Sequence, residues 1–312
     1  MPFSQQITDT ILMVRPANFG FNAQTAGNNA FQTNDTSLAA EQVSQQARQE
    51  FDTFVQRLRD AGVTVLVVED TPDPIKYDAV FPNNWFSTHA DGTLVTYPMY
   101  APMRRLERRD DVLEMLQQKY GYQRRVDVAT RELQERFLEG TGSLILDRDH
   151  QVVYACRSIR TDGGLLDEFA LWMGFEKVIF DAYDRNGLPI YHTNVMMALG
   201  VDFCVICLDT VTDAVQRRNL TDKLHETGKD IIAISIDQME AFAGNMLQVK
   251  SKDGTAYLVM SSQAYYSLSE EQIRRLEQHT LLLHSPIPTI ETYGGGSARC
   301  MMAEVFPANT GR

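Results

Sequence analysis

The sequence predicts an α/β ring, five ββαβ-like units closed around a central axis, with short strands lining the axis and helices outside. Three observations predict it. Hairpin-like stretches recur at a nearly constant interval, a helix-forming segment follows each, and a short apolar strand follows several of those helices. Taking Asn84, Gly142, Asn194, Asn245 and Cys300 as starts of equivalent first strands gives separations of 58, 52, 51 and 55 residues, the mark of an internal repeat. No such unit can bury its own sheet alone, and closing the series into a ring leaves few exposed edges. A serial α/β sandwich is the alternative that the period alone leaves open. At 312 residues the chain is read as a single domain, 1–312, since closed rings of this size commonly form one.

The elements follow in order. Residues 36–61 place Val43, Ala47, Phe51, Phe54 and Leu58 on one stripe, with Thr36 as N-cap and Gly62 as stop. "VTVLVV" (63–68) is the next strand. A hairpin spans 83–99, turned by Asp91-Gly92, the dipeptide that suits a tight turn between strands. A helix over about 104–120 leads to a hairpin over 140–158, a helix over 164–173 and the strand "KVIF" (177–180). A hairpin over 193–209, a helix over 211–227 and the strand "IIAISI" (231–236) repeat the pattern. The last full unit has a hairpin over 243–261 turned by Asp253-Gly254, then a helix over 269–279 opened by Ser269 with Gln272 three residues on, a capping-box pattern. "CMMAEVF", from Cys300, is a final half-hairpin.

Composition narrows the partners. Hydrophobic residues are 44% and charged residues 22% of the chain, as in an ordinary folded protein. Twenty-nine basic residues stand against 41 acidic ones, a net charge of −12, which disfavours binding to a nucleic-acid backbone. The N-terminus, "MPFSQQITDTILMVRP", has no basic stretch followed by a clean apolar run, and no apolar run reaches the roughly 18 residues of a membrane span. The chain is therefore read as cytoplasmic, with neither a membrane nor a nucleic acid as partner. Its four cysteines, Cys156, Cys204, Cys207 and Cys300, are too sparse for a disulfide scaffold. Cys204 and Cys207 form a CxxC inside an apolar strand pattern, with no second CxxC and no nearby His to complete a ligand set. They are read as core.

In a ring of similar units the starts of the first strands converge on the axis, so function should show as chemical divergence there. Those starts read Asn83-Asn84-Trp85, Glu139-Gly140-Thr141-Gly142, His192-Thr193-Asn194, Gly244-Asn245 and Arg299-Cys300. A cysteine, a histidine and a carboxylate fall at corresponding places in three units. A thiolate is a strong nucleophile, histidine takes and returns protons near neutral pH, and a carboxylate orients the histidine or accepts N–H groups. Gly294 to Gly296 let the backbone before Cys300 approach a ligand closely. Taken singly, Cys300 reads as buried filler, His192 as a satisfied or solvated residue, and Glu139 as a surface carboxylate. Their coincidence at equivalent positions is what favours a site.

At these residues the chain resembles the amidinotransferase and guanidino-group-modifying (pentein) superfamily of five-bladed α/β propellers, which includes arginine deiminases, dimethylarginine dimethylaminohydrolases and glycine amidinotransferase. The resemblance covers essentially the whole chain and is carried by "GGGSARC", "EGTGS" and "YHTNVMMALG". "VRPANFGFN" and "FPNNWFSTH" resemble the citrulline-utilising hydrolase branch. The resemblance implies Cys300 as nucleophile, His192 as general acid and base, Glu139 as a substrate-binding or His-orienting carboxylate, and Asp78 in "KYDAVFPNNW" as a further acidic contact. It implies a small amino-acid substrate, no metal, no organic cofactor, and compatibility with a homodimer.

Related deiminases place a second carboxylate where this chain has Asn83 and Asn84. A guanidinium presents only N–H donors and a positive charge, whereas a neutral ureido group also presents a carbonyl oxygen that an Asn amide can donate to. The departure therefore leans toward a ureido substrate such as citrulline, hydrolysed to ornithine, ammonia and CO2 through a covalent thio-intermediate, with a Cys⁻/His⁺ pair expected to sustain the nucleophile. The bland reading of Asn83 and Asn84 is that they fix a turn. Arg15 and Arg299 are candidates for holding an α-carboxylate, and Phe19, Phe21 and Trp85 for walling the substrate stem; each reads equally as a salt bridge or as core. The rivals are an amidinotransferase using the same intermediate, an arginine or dimethylarginine hydrolase, and a non-enzymatic propeller that binds a partner.

Overall fold

The computed structural model describes residues 6–308; the first five residues of the N-terminal reading lie outside them. The strands are β1 (Thr10–Arg15), β2 (Thr64–Glu69), β3 (Phe86–Thr88), β4 (Thr93–Thr96), β5 (Arg124–Asp127), β6 (Ile145–Asp147), β7 (Val152–Cys156), β8 (Glu176–Phe180), β9 (Met197–Leu199), β10 (Phe203–Ile206), β11 (Asp230–Ala233), β12 (Leu247–Lys250), β13 (Ala256–Ser261), β14 (Leu281–Ser285) and β15 (Ala303–Glu304). They form five three-stranded sheets. Four share one plan, an antiparallel hairpin followed by a third strand parallel to its second: β3-β4-β5, β6-β7-β8, β9-β10-β11 and β12-β13-β14. The fifth joins the two ends of the chain. β1 runs parallel to β2, with Ile11 opposite Val65, and antiparallel to β15, with Leu12 opposite Ala303. The half-hairpin expected after Cys300 thus completes the first sheet, and the fold is the five-bladed α/β propeller that the repeat predicts.

Five helices make the crossovers: α1 (Ala40–Asp60), α2 (Asp110–Tyr120), α3 (Gly163–Met173), α4 (Ala214–Glu226) and α5 (Glu270–Glu277). α5 carries the expected capping box, Ser269 Oγ accepting from Gln272 N and Gln272 Oε1 accepting from Ser269 N. α1 starts later than expected. Its N-cap is Ala39, whose N–H is met by Gln42 Oε1 at 3.0 Å, and Thr36 takes no part. The predicted 104–120 helix is broken into a short turn, Pro102–Arg105, and α2. Asp110 and Asp111 restart it by placing acidic groups at a new positive helix end. The break leaves Arg104 and Glu107 buried, 3% and 4% exposed.

The positions read as first-strand starts are not in strands. They lie in turns one step earlier: Pro82–Asn84, Gly140–Ser143 and Thr193–Met196 form single helical turns, Asn245 sits in the loop before β12, and Cys300 in a turn before β15. In such a turn side chains three or four residues apart share one face, where a strand would alternate successive ones. Glycine is needed there: a Cβ at Gly140, whose φ is +48°, would lie 2.4 Å from the Asn83 carbonyl oxygen. Between sheets and helices lie the apolar clusters; Phe51, Phe54 and Leu58 of α1 join Met301 and Met302 in the one under Cys300. Cys204 and Cys207 are buried in another, Cys207 with its thiol pushed up to about 11 by burial. No helix among the described residues is long and apolar enough to cross a membrane.

Candidate functional site

A narrow cavity opens where the axial turns meet, lined by Asp78, Asn84, Arg104, Arg160, Tyr191, His192, Gly294 to Gly296 and Cys300, with Thr25, Asn29 and Phe81 at its sides.

Cys300 is 5% exposed. The turn that holds it is built by successive i to i+3 bonds, Cys300 N to Ser297 O at 3.0 Å and Met302 N to Arg299 O at 3.2 Å. Its sulfur accepts from the side-chain amides of Asn194 and Asn245, each at 3.4 Å. The glycines before it are tight by necessity, since a Cβ at Gly296 would meet the Phe81 ring at 2.9 Å.

His192 stands just before the Thr193–Met196 turn, 2% exposed, and its Nε2 donates to Glu139 Oε2 at 2.7 Å. Glu139 is fully buried. Its other oxygen accepts from Tyr100 N at 2.9 Å, and Arg160 and Arg104 lie 3.6 and 4.0 Å away. Burial works against the carboxylate, but Arg160 and the His192 hydrogen bond outweigh it and hold Glu139 down at about 2. Burial also favours the neutral imidazole. It outweighs the pull of Glu139 and, with Arg160 and Arg104 near, brings His192 down to about 4. The pair therefore rests as carboxylate and neutral ring, with the proton on Nε2 and the lone pair on Nδ1. That differs from the expected resting imidazolium, and the cause is desolvation beside two arginines that the sequence reading did not place here.

Asp78 accepts from Asn22 Nδ2 at 2.7 Å and lies 3.8 Å from Arg104. Burial raises its carboxyl, opposed by Arg104 and Asn22, and its Oδ1 has no partner. Arg104 is gripped by both oxygens of Glu107 at 2.9 Å and donates to Asn84 Oδ1 at 2.8 Å and Phe81 O at 3.3 Å. With Asn84 Oδ1 occupied, the Asn84 amide has one orientation, and its Nδ2 is left without a partner. Arg160 stacks over Tyr191 at 4.8 Å and holds Asn28 Oδ1, while Tyr191 OH donates to Gly295 O at 2.8 Å.

Of the residues singled out from sequence, Cys300, His192, Asp78 and Asn84 line this one cavity, and Glu139 stands directly behind His192. Three do not reach it. Arg15 ends β1 on the outside of the ring, bonded to Asp52 at 2.7 and 2.9 Å and near Glu69. Arg299 follows the turn away from Cys300, donating to Met302 O and Glu304, and borders a separate cavity toward β6 and β9. Asn83 is fully buried with both side-chain polar atoms unpartnered, outside the lining. Phe19 and Trp85 are core, and Phe21 packs at the core's edge. Arg104, Arg160, Tyr191 and the asparagines of the 22–29 segment carry no signal in the repeat, whereas Asn194 and Asn245 are marked in the sequence by their equivalent positions in successive units.

A family model described as N,N dimethylarginine dimethylhydrolase, eukaryotic, matches residues 15–307. A search of curated proteins gave no match. Solved structures resemble the whole chain. The N-terminal domain of ArgZ, an arginine dihydrolase from the ornithine-ammonia cycle in Cyanobacteria, has a TM-score of 0.73 at 17% identity, covering 96% of this chain and 98% of that one. Unliganded AgrE has a TM-score of 0.72 at 19% identity, covering 95% of this chain and 39% of that one. A dimethylarginine dimethylaminohydrolase adduct with S-methyl-L-thiocitrulline has a TM-score of 0.64 at 13% identity, covering 96% and 99%. At such identities these neighbours establish the pentein fold.

Proposed function

Since the chain belongs to the N,N-dimethylarginine dimethylhydrolase (eukaryotic) family of the pentein superfamily, we propose that it is a cysteine-dependent hydrolase of C–N bonds, one catalytic domain, acting on the ureido group of citrulline. The observation that carries the substrate is a pair of orphaned polar atoms on two residues that line the cavity, Asn84 Nδ2 and Asp78 Oδ1. One is a fixed donor and the other an acceptor. A ureido group satisfies both, its carbonyl oxygen taking the Asn84 N–H and its NH2 donating to Asp78. A guanidinium, all donors, leaves Asn84 unmet and finds the remaining carboxylates, Glu139 and Glu107, already held by His192, Arg160 and Arg104. Arg160 takes over the role suggested for Arg15 and Arg299, because Arg104, the other arginine lining the cavity, is already gripped by both oxygens of Glu107.

In this reading Cys300 Sγ attacks the ureido carbon while His192 Nδ1 takes the cysteine proton. The imidazolium so formed is stabilised by Glu139 and gives its proton to the leaving nitrogen as the C–N bond breaks. The carbon is left bonded to sulfur. A water then loses a proton to His192 and attacks this thio-intermediate; the C–S bond breaks and the electron pair returns to sulfur. The carbamate released loses CO2, so ornithine, ammonia and CO2 result whichever nitrogen leaves first.

The test is release of ammonia and ornithine from L-citrulline, with L-arginine and a dimethylarginine in parallel and Cys300→Ser as control. Cysteine-dependent ornithine from citrulline is the expected result. Turnover of arginine or dimethylarginine alone would overturn the ureido reading, and transfer of a carbamoyl or amidino group to an added amine in place of hydrolysis would overturn the hydrolase.

A further inference from the structure

Asn194 and Asn245 stand at equivalent axial positions in successive units, and Cys300 occupies that position in the next. Their side chains meet at the sulfur, each amide nitrogen 3.4 Å from Sγ. For Asn245 the assignment of nitrogen and oxygen is forced. Its Oδ1 accepts from Arg299 N at 3.1 Å, and its Nδ2 donates to Asn194 O at 2.8 Å. Rotating the amide would set oxygen against a carbonyl and NH2 against an N–H. The group facing the sulfur is thus a donor by construction. The amide oxygen also lies 3.6 Å from Sγ, within reach of a thiol S–H, so Asn245 suits sulfur both before and after it loses its proton. Asn194 is fully buried, and its Oδ1 has no hydrogen-bond partner; its one side-chain hydrogen bond among the described residues goes to Cys300. A buried amide left half satisfied is costly, and the sulfur contact is what it supplies.

Resting on the reading of Cys300 as nucleophile, we propose that Asn194 and Asn245 are positioning residues for it, a two-amide clamp that fixes the sulfur's direction and donates N–H groups to the negative charge it carries. That charge arises twice in the cycle, when the proton leaves for His192 and when the C–S bond of the intermediate breaks and its electron pair returns to sulfur. Fixed donors that need no reorganisation act on both steps. The clamp adds no charge of its own, and it touches sulfur rather than the substrate cavity, so it should govern turnover and not substrate binding.

The experiment compares Asn194→Ala, Asn194→Asp and Asn245→Asp with the parent. The first readout needs no substrate: the rate of iodoacetamide alkylation at Cys300, followed by peptide mass spectrometry. Loss of one donor is expected to slow it about tenfold or more, and Asn245→Asp most, because it replaces a donor with a carboxylate facing sulfur. The second readout is kcat and KM on whichever substrate the parent turns over, with kcat falling by a similar factor and KM staying within about twofold. Unchanged alkylation in folded variants, verified by thermal unfolding, overturns the clamp whatever the substrate proves to be. A change confined to KM also overturns it, since that places the amides on the substrate. Turnover surviving in Cys300→Ser would instead sink the underlying nucleophile reading while leaving the alkylation result interpretable.

Discussion

Gly142→Ala tests the geometry of the site with one methyl group. Gly142 has no positive φ, so alanine suits its backbone and the perturbation is purely one of space. A Cβ there would lie 2.4 Å from Asn84 Nδ2, 2.8 Å from His192 Nδ1 and 2.9 Å from His192 Cε1. Reaching an ordinary contact of about 3.4 Å requires the Asn84 amide to retreat by about 1 Å and the imidazole by about 0.6 Å. Asn84 is tethered to Arg104, and His192 to Glu139 at 2.7 Å, so neither moves without stretching a buried hydrogen bond. Overpacking of this kind costs about 1–3 kcal/mol, a fall of a few degrees in Tm for a chain this long. Displacing catalytic groups by such distances costs on the order of 100-fold in rate. Steady-state turnover beside thermal unfolding separates the two effects, with Gly163→Ala as control, where the nearest neighbour is the flexible end of Ile179 at 3.3 Å. A folded Gly142→Ala protein with parental kcat would refute the placement of His192 Nδ1 and Asn84 Nδ2 against Gly142, and with it their roles in turnover.

Because burial and two arginines hold His192 at about 4, its lone pair survives well into acid, and the acid limb of kcat should fall near pH 4 rather than near the ordinary 6.5; a limb above pH 6 would contradict the neutral resting ring. Glu291, buried below the glycine loop with Ser297 donating to it at 2.6 Å, is raised by burial from 4.5 to about 7. Its protonated form is the favoured one, so the stability it supports is full below pH 4.5 and lost as pH rises through 7, about 3 kcal/mol in all; chemical unfolding of Glu291→Gln should show a flatter decline over that window than the parent. Arg15→Ala should leave kcat/KM unchanged and lower stability by no more than about 1 kcal/mol, as for a surface ion pair; a large rise in KM would return Arg15 to the site.

Much of this site was legible because the ring turns sequence equivalence into spatial convergence. Glu139, His192 and Cys300 begin three different units, and nothing in their local sequence brings them together except the common distance from the axis. Asparagine at 84, 194 and 245 was visible by the same alignment. What escaped the sequence comes from outside the repeat. Arg104 reaches the cavity because a predicted helix breaks at residues 106–109, and Arg160 because the chain after β7 turns back over Tyr191; neither path follows from periodicity. Arg299 misled because its guanidinium is held by Met302 O and Glu304, and Arg15 because the last residue of β1 reaches Asp52 of α1 instead of the ring's interior.

The charges explain why amides occupy so many axial positions. Around the cavity Asp78, Glu107 and Glu139 face Arg104 and Arg160, all 5% exposed or less, so the site already carries as much buried charge as its pairing can hold. A carboxylate at 194 would add an unpaired buried anion, and one at 84 would compete for Arg104 with Asp78, Glu107 and Glu139; either costs several kcal/mol unless a cation arrives to meet it. An enzyme for a guanidinium substrate recovers that penalty on binding, whereas one for a neutral ureido group would bear it in every state. Asn84→Asp is therefore expected to destabilise the empty protein and to shift kcat/KM from citrulline toward arginine, with added arginine raising Tm more than added citrulline does. The reverse order of stabilisation would show that the site's charge balance does not select the substrate.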